Sequence, residues 1–432
     1  MKIKTYHIIT IGCQMNVSDS ERIAGYLEGL GFVFTKKRNQ ADIIITTTCG
    51  VRQSAEDRVY MLLPKIKKVN PKVITVVTGC LAGRADVQRR LKDIVDIWLP
   101  IIDLQKLGKL LNKKTRVSSS LGGYLKISPK YESTVSAFVP IGNGCDNFCA
   151  YCVVPYARGR EIYRPAEEIL SEIKGLVKKG YKEIFLIAQN VNSYQSHNVQ
   201  RITHNKKTIN FAQLLKVAND IPGNFWIRFA TSHPKDMSNE LIDTIANCEK
   251  VCHQIHLPAQ AGDNEILRRM NRKYTREHYL RLIKKIRFAL PDASISTDVI
   301  VGFPGETRKQ FQNTENLFRQ AKFDQAFISQ YSPRPGTSAA KLKDNIPKIE
   351  KKRREEVLMK ILRRTAAAKN LQYIKKTVDV LLEGHKGDYL FGKTKTGKNI
   401  RLAANTDLKI KIGEFVIANV ISTKDFGMTG KI

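Results

Sequence analysis

Short β-branched segments alternate with amphipathic segments along the first third of the chain. Strands are predicted at Lys4–Ile11, Asp42–Thr47 and Val73–Thr78. Each is followed by apolar positions at helical spacing, at Asp19–Leu30, Ser54–Lys68 and Arg84–Leu91. Strands that alternate with helices pair in a parallel sheet. We therefore expect an N-terminal parallel-sheet α/β domain over residues 1–120, ending in a polar stretch, Asn112–Ser128.

The alternation resumes in the middle of the chain. Six further strands are predicted, at Ser136–Ile141, Glu183–Ala188, Phe225–Ala230, Cys252–Leu257, Ser294–Val301 and Asp324–Tyr331. A closed eightfold barrel needs about 250 residues, so six strands indicate an open (β/α)6 barrel over residues 131–365. The segment Pro347–Lys369 predicts one long basic helix.

The last part of the chain has a different pattern. Alternating or β-branched runs separated by glycines predict a small all-β barrel over residues 368–432. Its predicted strands are Val378–Leu382, Tyr389–Thr394, Ile400–Ala403 and Phe415–Ser422.

Composition fits a folded protein with a polyanionic partner. Hydrophobic residues make up 42% and charged residues 26% of the 432 residues. The net charge of +33 favours nucleic acid or, as a rival, an acidic membrane surface. No apolar stretch has the length of a membrane span, and we expect a cytoplasmic protein without a membrane partner. Eight cysteines are too few for a disulfide scaffold, and their spacing indicates metal or redox chemistry.

The strongest chemical signal is a C-x3-C-x2-C loop formed by Cys145, Cys149 and Cys152. It comes just after the first predicted barrel strand, where barrel active sites are built. Three thiolates on a four-iron cluster leave one iron free to bind another ligand, unlike the four-thiolate sites of ferredoxins. A zinc site that lacks its fourth ligand is the alternative.

Three more cysteines follow the carboxyl ends of separate strands in the N-terminal domain. Cys13, Cys49 and Cys80 each come about two residues after a predicted strand. Such ends line up along one edge of a parallel sheet, so the three thiols are expected to converge. A second three-cysteine cluster and a set of buried core cysteines are both open at this point.

The motifs carry a resemblance to known enzymes. The cysteine loop, with Tyr151 before its last cysteine, resembles the S-adenosylmethionine (SAM) loop of radical SAM enzymes. From residue 12 to the end, the chain resembles the tRNA methylthiotransferases, most closely the MiaB type. The blocks that carry this resemblance are Gly12-Cys13-Gln14-Met15-Asn16, Val153–Glu161, Gln189–Tyr194, Thr231-Ser232-His233-Pro234 and Arg334-Pro335-Gly336-Thr337.

The resemblance implies an N-terminal cluster domain, a radical SAM barrel and a C-terminal TRAM barrel. It implies two [4Fe-4S] clusters, the SAM cluster on Cys145, Cys149 and Cys152 and an auxiliary, sulfur-supplying cluster on Cys13, Cys49 and Cys80. SAM would serve as both methyl donor and radical source. Two departures from the family pattern are Thr47, where Asn is expected, and Ala261, where Ser is usual.

Several polar residues are expected near the SAM site. Gln189 and Asn190 follow the second barrel strand, and the Thr297–Glu306 turn, with Asp298 and Gly302, would form a wall of the SAM pocket. Three arginines would bind phosphate or the SAM carboxylate, or else form a solvated basic face: Arg158, Arg160 and Arg164. For Cys248 and Cys252 a structural role is favoured.

The function expected from the resemblance is methylthiolation of carbon 2 of N6-isopentenyladenosine next to a tRNA anticodon. The expected partners are the tRNA anticodon loop, an external electron donor and a sulfur source, and we expect a monomer. One alternative is methylthiolation of threonylcarbamoyladenosine or of a ribosomal-protein aspartate. The other is a non-catalytic RNA-binding protein with an electron-carrying or sensing cluster. The basic helix and the C-terminal barrel are expected to hold RNA through its phosphates, with Tyr389, Phe391 and Phe426 available for stacking, although a place in the buried core is favoured for each of these aromatics singly.

Overall fold

The computed structural model describes residues 4–111, 123–197, 208–403 and 410–432. Its first domain holds a five-stranded, fully parallel sheet in the order β2-β1-β3-β4-β5. The strands are β1 (Thr5–Thr10), β2 (Val33–Phe34), β3 (Ile43–Thr48), β4 (Ile74–Gly79) and β5 (Ile97–Trp98). The helices are α1 (Gln14–Gly29), α2 (Gln53–Val69), α3 (Ala85–Arg90) and α4 (Leu107–Leu110).

The predicted parallel sheet is confirmed, with two short additional strands at its edges. Helix α1 begins five residues before the predicted start at Asp19, because Cys13 is its N-cap and the Cys13 amide donates to Asn16 Oδ1 at 3.4 Å. Most of the predicted polar boundary lies outside the described residues. Beyond it, Tyr124 and Leu125 pack in the core of the N-terminal sheet.

The central domain is an open parallel barrel, as predicted. Two three-stranded parallel sheets, in the orders β12-β9-β6 and β13-β14-β15, are joined by a bridge between Ile227 and Val251. The barrel strands are β6 (Ser136–Pro140), β9 (Glu183–Ile187), β12 (Trp226–Phe229), β13 (Gln254–His256), β14 (Ser294–Val301) and β15 (Gln325–Gln330). Four short strands lie in the loops: β7 (Gly142–Asn143), β8 (Ile162–Tyr163), β10 (Gln195–His197) and β11 (Thr208–Asn210).

Helices cover the outside of this barrel and bury their apolar faces against it. They are α6 (Ala166–Lys178), α7 (Phe211–Asn219), α8 (Asn239–Asn247), α9 (Asn264–Arg269), α10 (Arg276–Ala289), α11 (Arg308–Ala321) and α12 (Lys348–Leu371). The short helix α5 (Val154–Arg158) instead contacts the N-terminal domain through Arg158. The basic helix α12 runs from one edge of the barrel to the other. Near its start Arg354 pairs with Glu306 after β14, and near its end Lys369 pairs with Asp324 before β15.

The C-terminal segment forms a closed five-stranded barrel in the order β16-β17-β18-β20-β19. Its strands are β16 (Thr377–Lys386), β17 (Tyr389–Thr394), β18 (Asn399–Ala403), β19 (Phe415–Lys424) and β20 (Gly427–Lys431). Strand β20 was not predicted from the sequence. It closes the barrel by pairing parallel with β18 and antiparallel with β19.

The C-terminal barrel covers the amino-terminal edge of the central barrel. The Trp226 and Phe415 rings lie 4.8 Å apart, and Arg228 Nη2 donates to the Thr394 carbonyl at 2.8 Å. Cys252 is buried in the same apolar contact, which agrees with its expected structural role. The carboxyl ends of the central strands therefore face away from the C-terminal barrel.

Candidate active site

Cys13, Cys49 and Cys80 follow three neighbouring strands of the N-terminal sheet, β1, β3 and β4. Their backbones are close together, which the adjacent glycines allow. A Cβ atom on Gly12 would lie 3.0 Å from Cβ of Cys49, and one on Gly50 would lie 3.2 Å from Cβ of Cys80. The convergence expected from strand order is therefore present at this edge.

These thiols lie in an environment that resists charge unless a cation is bound. Burial raises the pKa of Cys13, and burial together with the other two cysteines raises the pKa of Cys49 to about 11. The Val51 amide points to the Cys49 sulfur at 3.4 Å. Metal ligation takes cysteine as thiolate and displaces its proton, so a cationic iron cluster would relieve this mutual repulsion.

Cys145, Cys149 and Cys152 lie on the loop between β7 and α5. Each sulfur has a nitrogen donor beside it: Asn147 Nδ2 at 3.3 Å from Cys145, Arg272 Nη1 at 3.5 Å from Cys149, and Val154 N at 3.5 Å from Cys152. Burial raises the pKa values of Cys145 and Cys152. Hydrogen bonds to sulfur are among the features that set the potential of iron–sulfur clusters, so the donor set fits such a group.

The two cysteine sets face each other across the domain interface. Gly50 lies between them, because its Cβ would meet Cγ2 of Val153 at 2.9 Å as well as Cys80. After burial, Cys149 and Cys145, Cys80 also contributes to the raised pKa of Cys152. The two cysteine sets, which belong to different domains, thus lie close together.

The three cysteines of each set are not arranged as the ligands of a single metal ion. Within the described parts of the chain, no three Cys, His, Asp or Glu side chains are placed to hold a single ion. A four-iron cluster requires a wider spacing because each thiolate binds a different iron. Each set of three cysteines could supply one thiolate to each of three irons.

Two barrel arginines hold the N-terminal domain in place. Arg158 Nη2 donates to Asp19 Oδ2 at 2.6 Å, and both side chains are nearly fully buried. Arg334 Nη2 donates to the Val51 carbonyl at 3.0 Å, two residues after Cys49. Arg158 therefore makes an interdomain contact. It is neither an anion-binding residue nor part of a solvated basic face, which were the two possibilities expected from the sequence.

The other two candidate arginines differ from each other. Arg164 is buried and pairs with Glu172 at 2.6 Å, so the expectation of an anion site or a solvated face is wrong for it as well. Arg160 is 75% exposed and pairs with Asp146 at 2.8 Å, within the cysteine loop.

The polar residues predicted at the barrel mouth lie at the carboxyl ends of the strands. Gln189 Oε1 accepts from the Gly144 amide at 2.6 Å and so anchors the cysteine loop. Asn190 Nδ2 donates to Asp236 at 2.8 Å, while its buried Oδ1 has no partner among the described residues. Ser232 Oγ is likewise buried without a described partner. Unsatisfied polar atoms at this edge are typical of a ligand site.

Asp298, Gly302 and Tyr151 are placed differently. The Asp298 carboxylate lies 3.1 Å from His256 Nε2. A Cβ on Gly302 would lie 2.4 Å from Cγ of Lys351, so this glycine is required by packing against α12 as well as by its φ of +69°. Tyr151 packs against the barrel core, and burial raises its pKa well above 10.

Sequence reasoning missed Arg272 and assigned no role to His233. Arg272 is 8% exposed and donates to Cys149, to Tyr274 and to the Pro258 carbonyl. Burial, with the charges of Arg272 and Lys235, lowers the pKa of His233 to about 2, so its ring is neutral. The run Arg268–Lys273 resembles any basic surface segment, and only tertiary contacts distinguish its buried arginine.

Comparison with known proteins agrees with this geometry. Residues 139–318 match the model of the radical SAM superfamily, and residues 5–99 match uncharacterized protein family UPF0004. The structure is similar to the radical S-adenosylmethionine methyltransferase TsrM from Kitasatospora setae, with a TM-score of 0.52, 13% identity and coverage of 78% of this chain and 77% of that one. The fold and the cysteine loop together define this chain as a radical SAM protein.

Full-length relatives narrow the assignment. A protein from Clostridium novyi (strain NT), named tRNA-2-methylthio-N(6)-dimethylallyladenosine synthase, is 43% identical over 99% of this chain and 96% of its own. A protein of the same name from Thermoanaerobacter pseudethanolicus is 40% identical over 99% of this chain and 92% of its own. The chain belongs to the family of tRNA-2-methylthio-N(6)-dimethylallyladenosine synthases.

Proposed function

We propose that this protein transfers a methylthio group to carbon 2 of N6-isopentenyladenosine beside a tRNA anticodon. The observation that carries the proposal is the meeting of two three-cysteine sets at one interdomain edge. Carbon 2 of adenine has no acidic proton, so a general base offers no easy route, whereas a radical does. A sulfur source and a radical source side by side match that requirement.

The cysteines are assigned as two ligand sets. Cys145, Cys149 and Cys152 would hold the SAM cluster, and Cys13, Cys49 and Cys80 the auxiliary cluster. When bound, the first supplies the electron that splits SAM, and the second supplies sulfur. The SAM site would include Tyr151, Gln189, Asn190, Asp298 and Gly302.

The three domains have separate roles in this proposal. Residues 1–120 carry the auxiliary cluster, residues 131–365 bind SAM and the target base, and residues 368–432 bind RNA. An external one-electron donor would reduce the SAM cluster after each turnover, and an external sulfur source would replace the sulfur that the auxiliary cluster gives up.

We propose that the protein is cytoplasmic, since its substrate is tRNA, and that it acts as a monomer. Among the helices the structure describes, none is both long and apolar enough to cross a membrane.

The test is mass spectrometry of nucleosides after anaerobic turnover with reconstituted enzyme, SAM, dithionite and tRNA that contains N6-isopentenyladenosine. The methylthio product is expected. Parallel reactions with threonylcarbamoyl-modified tRNA and with a ribosomal protein should give none. Product in either of those reactions alone would overturn the assignment.

Cysteine variants separate the two sets. Cys13→Ala, Cys49→Ala or Cys80→Ala should lower the iron content and abolish sulfur insertion but keep SAM cleavage, whereas Cys145→Ala should lose both. Cys248→Ala is the matched control, because Cys248 is buried outside both sets. An N-terminal triple variant that keeps full iron and thiolates tRNA would contradict the two-cluster proposal.

A further inference from the structure

Three exposed side chains form a patch in and beside the cysteine loop, which we name the aromatic rim: Phe148, Tyr156 and Arg160. The Phe148 and Tyr156 rings meet edge to face with centroids 6.0 Å apart. The Arg160 guanidinium lies 5.8 Å from the centroid of Phe148. These residues come from the cysteine loop, from α5 and from the segment before β8.

The rim is exposed although burial of aromatics is favourable. Tyr156 is 62% and Phe148 38% exposed, at the edge of the barrel where the cysteines lie. Phe148 also has a φ of +44°, a left-handed conformation that a bulky residue adopts only at a cost. Strained residues concentrate at functional sites, and this one lies in the cysteine loop.

The rim is held rigidly. Asn271 Nδ2 donates to the Phe148 carbonyl at 2.9 Å, and the Cys145 amide donates to the Gly159 carbonyl at 3.2 Å. Tyr156 lies on α5, whose last residue, Arg158, is fixed by Asp19. A platform of this kind is preorganised, so a ligand that stacks on it loses little entropy to ordering.

The size and charge of the rim select its occupant. A stable protein interface buries about 800 Å² on each partner, far more than three side chains provide. Arg160 is already paired with Asp146, so the patch offers ring faces more than an unpaired charge for phosphate. Aromatic and guanidinium planes stack on single bases of RNA regardless of sequence.

We infer that the aromatic rim stacks an unpaired base next to the target adenosine and so holds that adenosine at the cysteine loop. This inference rests on the proposed function and deepens it. It assigns Tyr156 as a positioning residue for the RNA. A stacked neighbour would keep the loop splayed while the target base enters the barrel.

The test uses the full-length protein and an anticodon stem-loop RNA with 2-aminopurine beside the target adenosine. Binding to the wild type should change the probe's fluorescence as it stacks. Tyr156→Ala should weaken binding about five- to 150-fold, the range of one lost base stack, and abolish the fluorescence change. Tyr156→Phe, which keeps the ring, should restore both.

Controls separate stacking from misfolding. Phe288→Ala removes an aromatic that is 90% exposed on α10 and should leave binding unchanged. Iron content and the electron paramagnetic resonance (EPR) spectrum of the SAM cluster report whether the cysteine loop of Tyr156→Ala is intact. If that loop is lost, the RNA affinities of Tyr156→Phe and Tyr156→Leu are compared instead. Equal affinities of these two variants would contradict stacking.

Two further outcomes would overturn the inference. One is Tyr156→Ala with wild-type affinity and probe signal. The other is that Tyr156→Ala turns over with dithionite but not with a protein reductant. That result would make the rim a docking site for the electron donor. Failure of the proposed function is distinct, because then the wild type itself would not methylthiolate the tRNA.

Discussion

Two buried arginines, one beside each cysteine set, differ in their partners. Arg158 pairs with the buried carboxylate of Asp19, so its charge is offset. Arg272, beside Cys149, forms no ion pair within the described residues, and its other partners are a hydroxyl and a carbonyl. An uncompensated cation near a cluster stabilises the more negative, reduced state.

We therefore expect Arg272→Met to lower the midpoint potential of the SAM cluster by about 60 mV or more, a tenfold change in a one-electron equilibrium. EPR-monitored redox titration measures it. Arg268→Met is the matched control, because Arg268 is on the same segment but is 74% exposed and paired with Glu265. Equal potentials for the wild type and Arg272→Met would contradict the expectation.

Glu21 gives the protein a pH-dependent stability. It is 5% exposed at the interdomain contact, and burial raises its pKa from 4.5 to about 7. The folded state therefore holds the proton more tightly than the unfolded state. The stability that this carboxyl contributes is present below pH 4.5 and is lost as the pH rises through 7. This loss lowers the free energy of unfolding by about 3 kcal/mol.

Glu21→Gln should abolish this loss. Its free energy of unfolding, from urea midpoints, should exceed that of the wild type by up to about 3 kcal/mol at pH 8 and match it near pH 4.5. Arg22, Glu132 and Glu172 stay in place as the other charges that act on this carboxyl. Parallel pH profiles for the variant and the wild type would exclude Glu21 as the source.

At the scale of elements, α1 shows why its start was mispredicted. The helix buries a polar run, Asn16 and Ser18–Arg22, because one side faces its own sheet and the other faces the barrel. Periodicity of apolar residues cannot reveal a helix whose buried face is polar. The β-branched strands before each cysteine were predictable because they lie within one buried sheet.

The Asp19–Arg158 contact between α1 and α5 gives an energetic prediction. Arg158→Met leaves a buried carboxylate without its partner and should destabilise the protein by about 3–5 kcal/mol. Asp19→Leu combined with Arg158→Met should recover most of this loss. The free energies of unfolding of the wild type, Arg158→Met, Asp19→Leu and the double variant together complete a double-mutant cycle. Additive losses in that cycle would show that the pair is not coupled.

At the scale of the molecule, the order of three domains was predictable but their contacts were not. The core of each domain is built from local patterns of apolar residues, whereas the hydrogen bond from Arg228 to Thr394 joins residues 166 positions apart in the sequence. Strand β20, Gly427–Lys431, escaped prediction because its glycines weaken the strand signal, and closure of the barrel decides its conformation.

The C-terminal barrel should bind phosphates of the RNA through exposed lysines. Lys386→Gln and Lys424→Gln should each reduce the slope of log affinity against log salt by about 0.7–0.9, because one fewer phosphate is neutralised. These exposed lysines are preferable to truncation, which would expose Trp226 and Cys252. Lys174→Gln on α6 is the exposed control. Slopes unchanged in both variants would remove these lysines from the RNA interface.

The placement of the C-terminal barrel has a consequence for the proposed reaction. Strand β14 alone spans about 26 Å between the two edges of the central barrel, at roughly 3.3 Å for each of its eight residues. If the C-terminal barrel binds RNA as proposed, an RNA held at the far edge would remain tethered when its base leaves the cysteine edge. Spent SAM would then exchange for the second molecule of the proposed reaction while the tRNA stays bound.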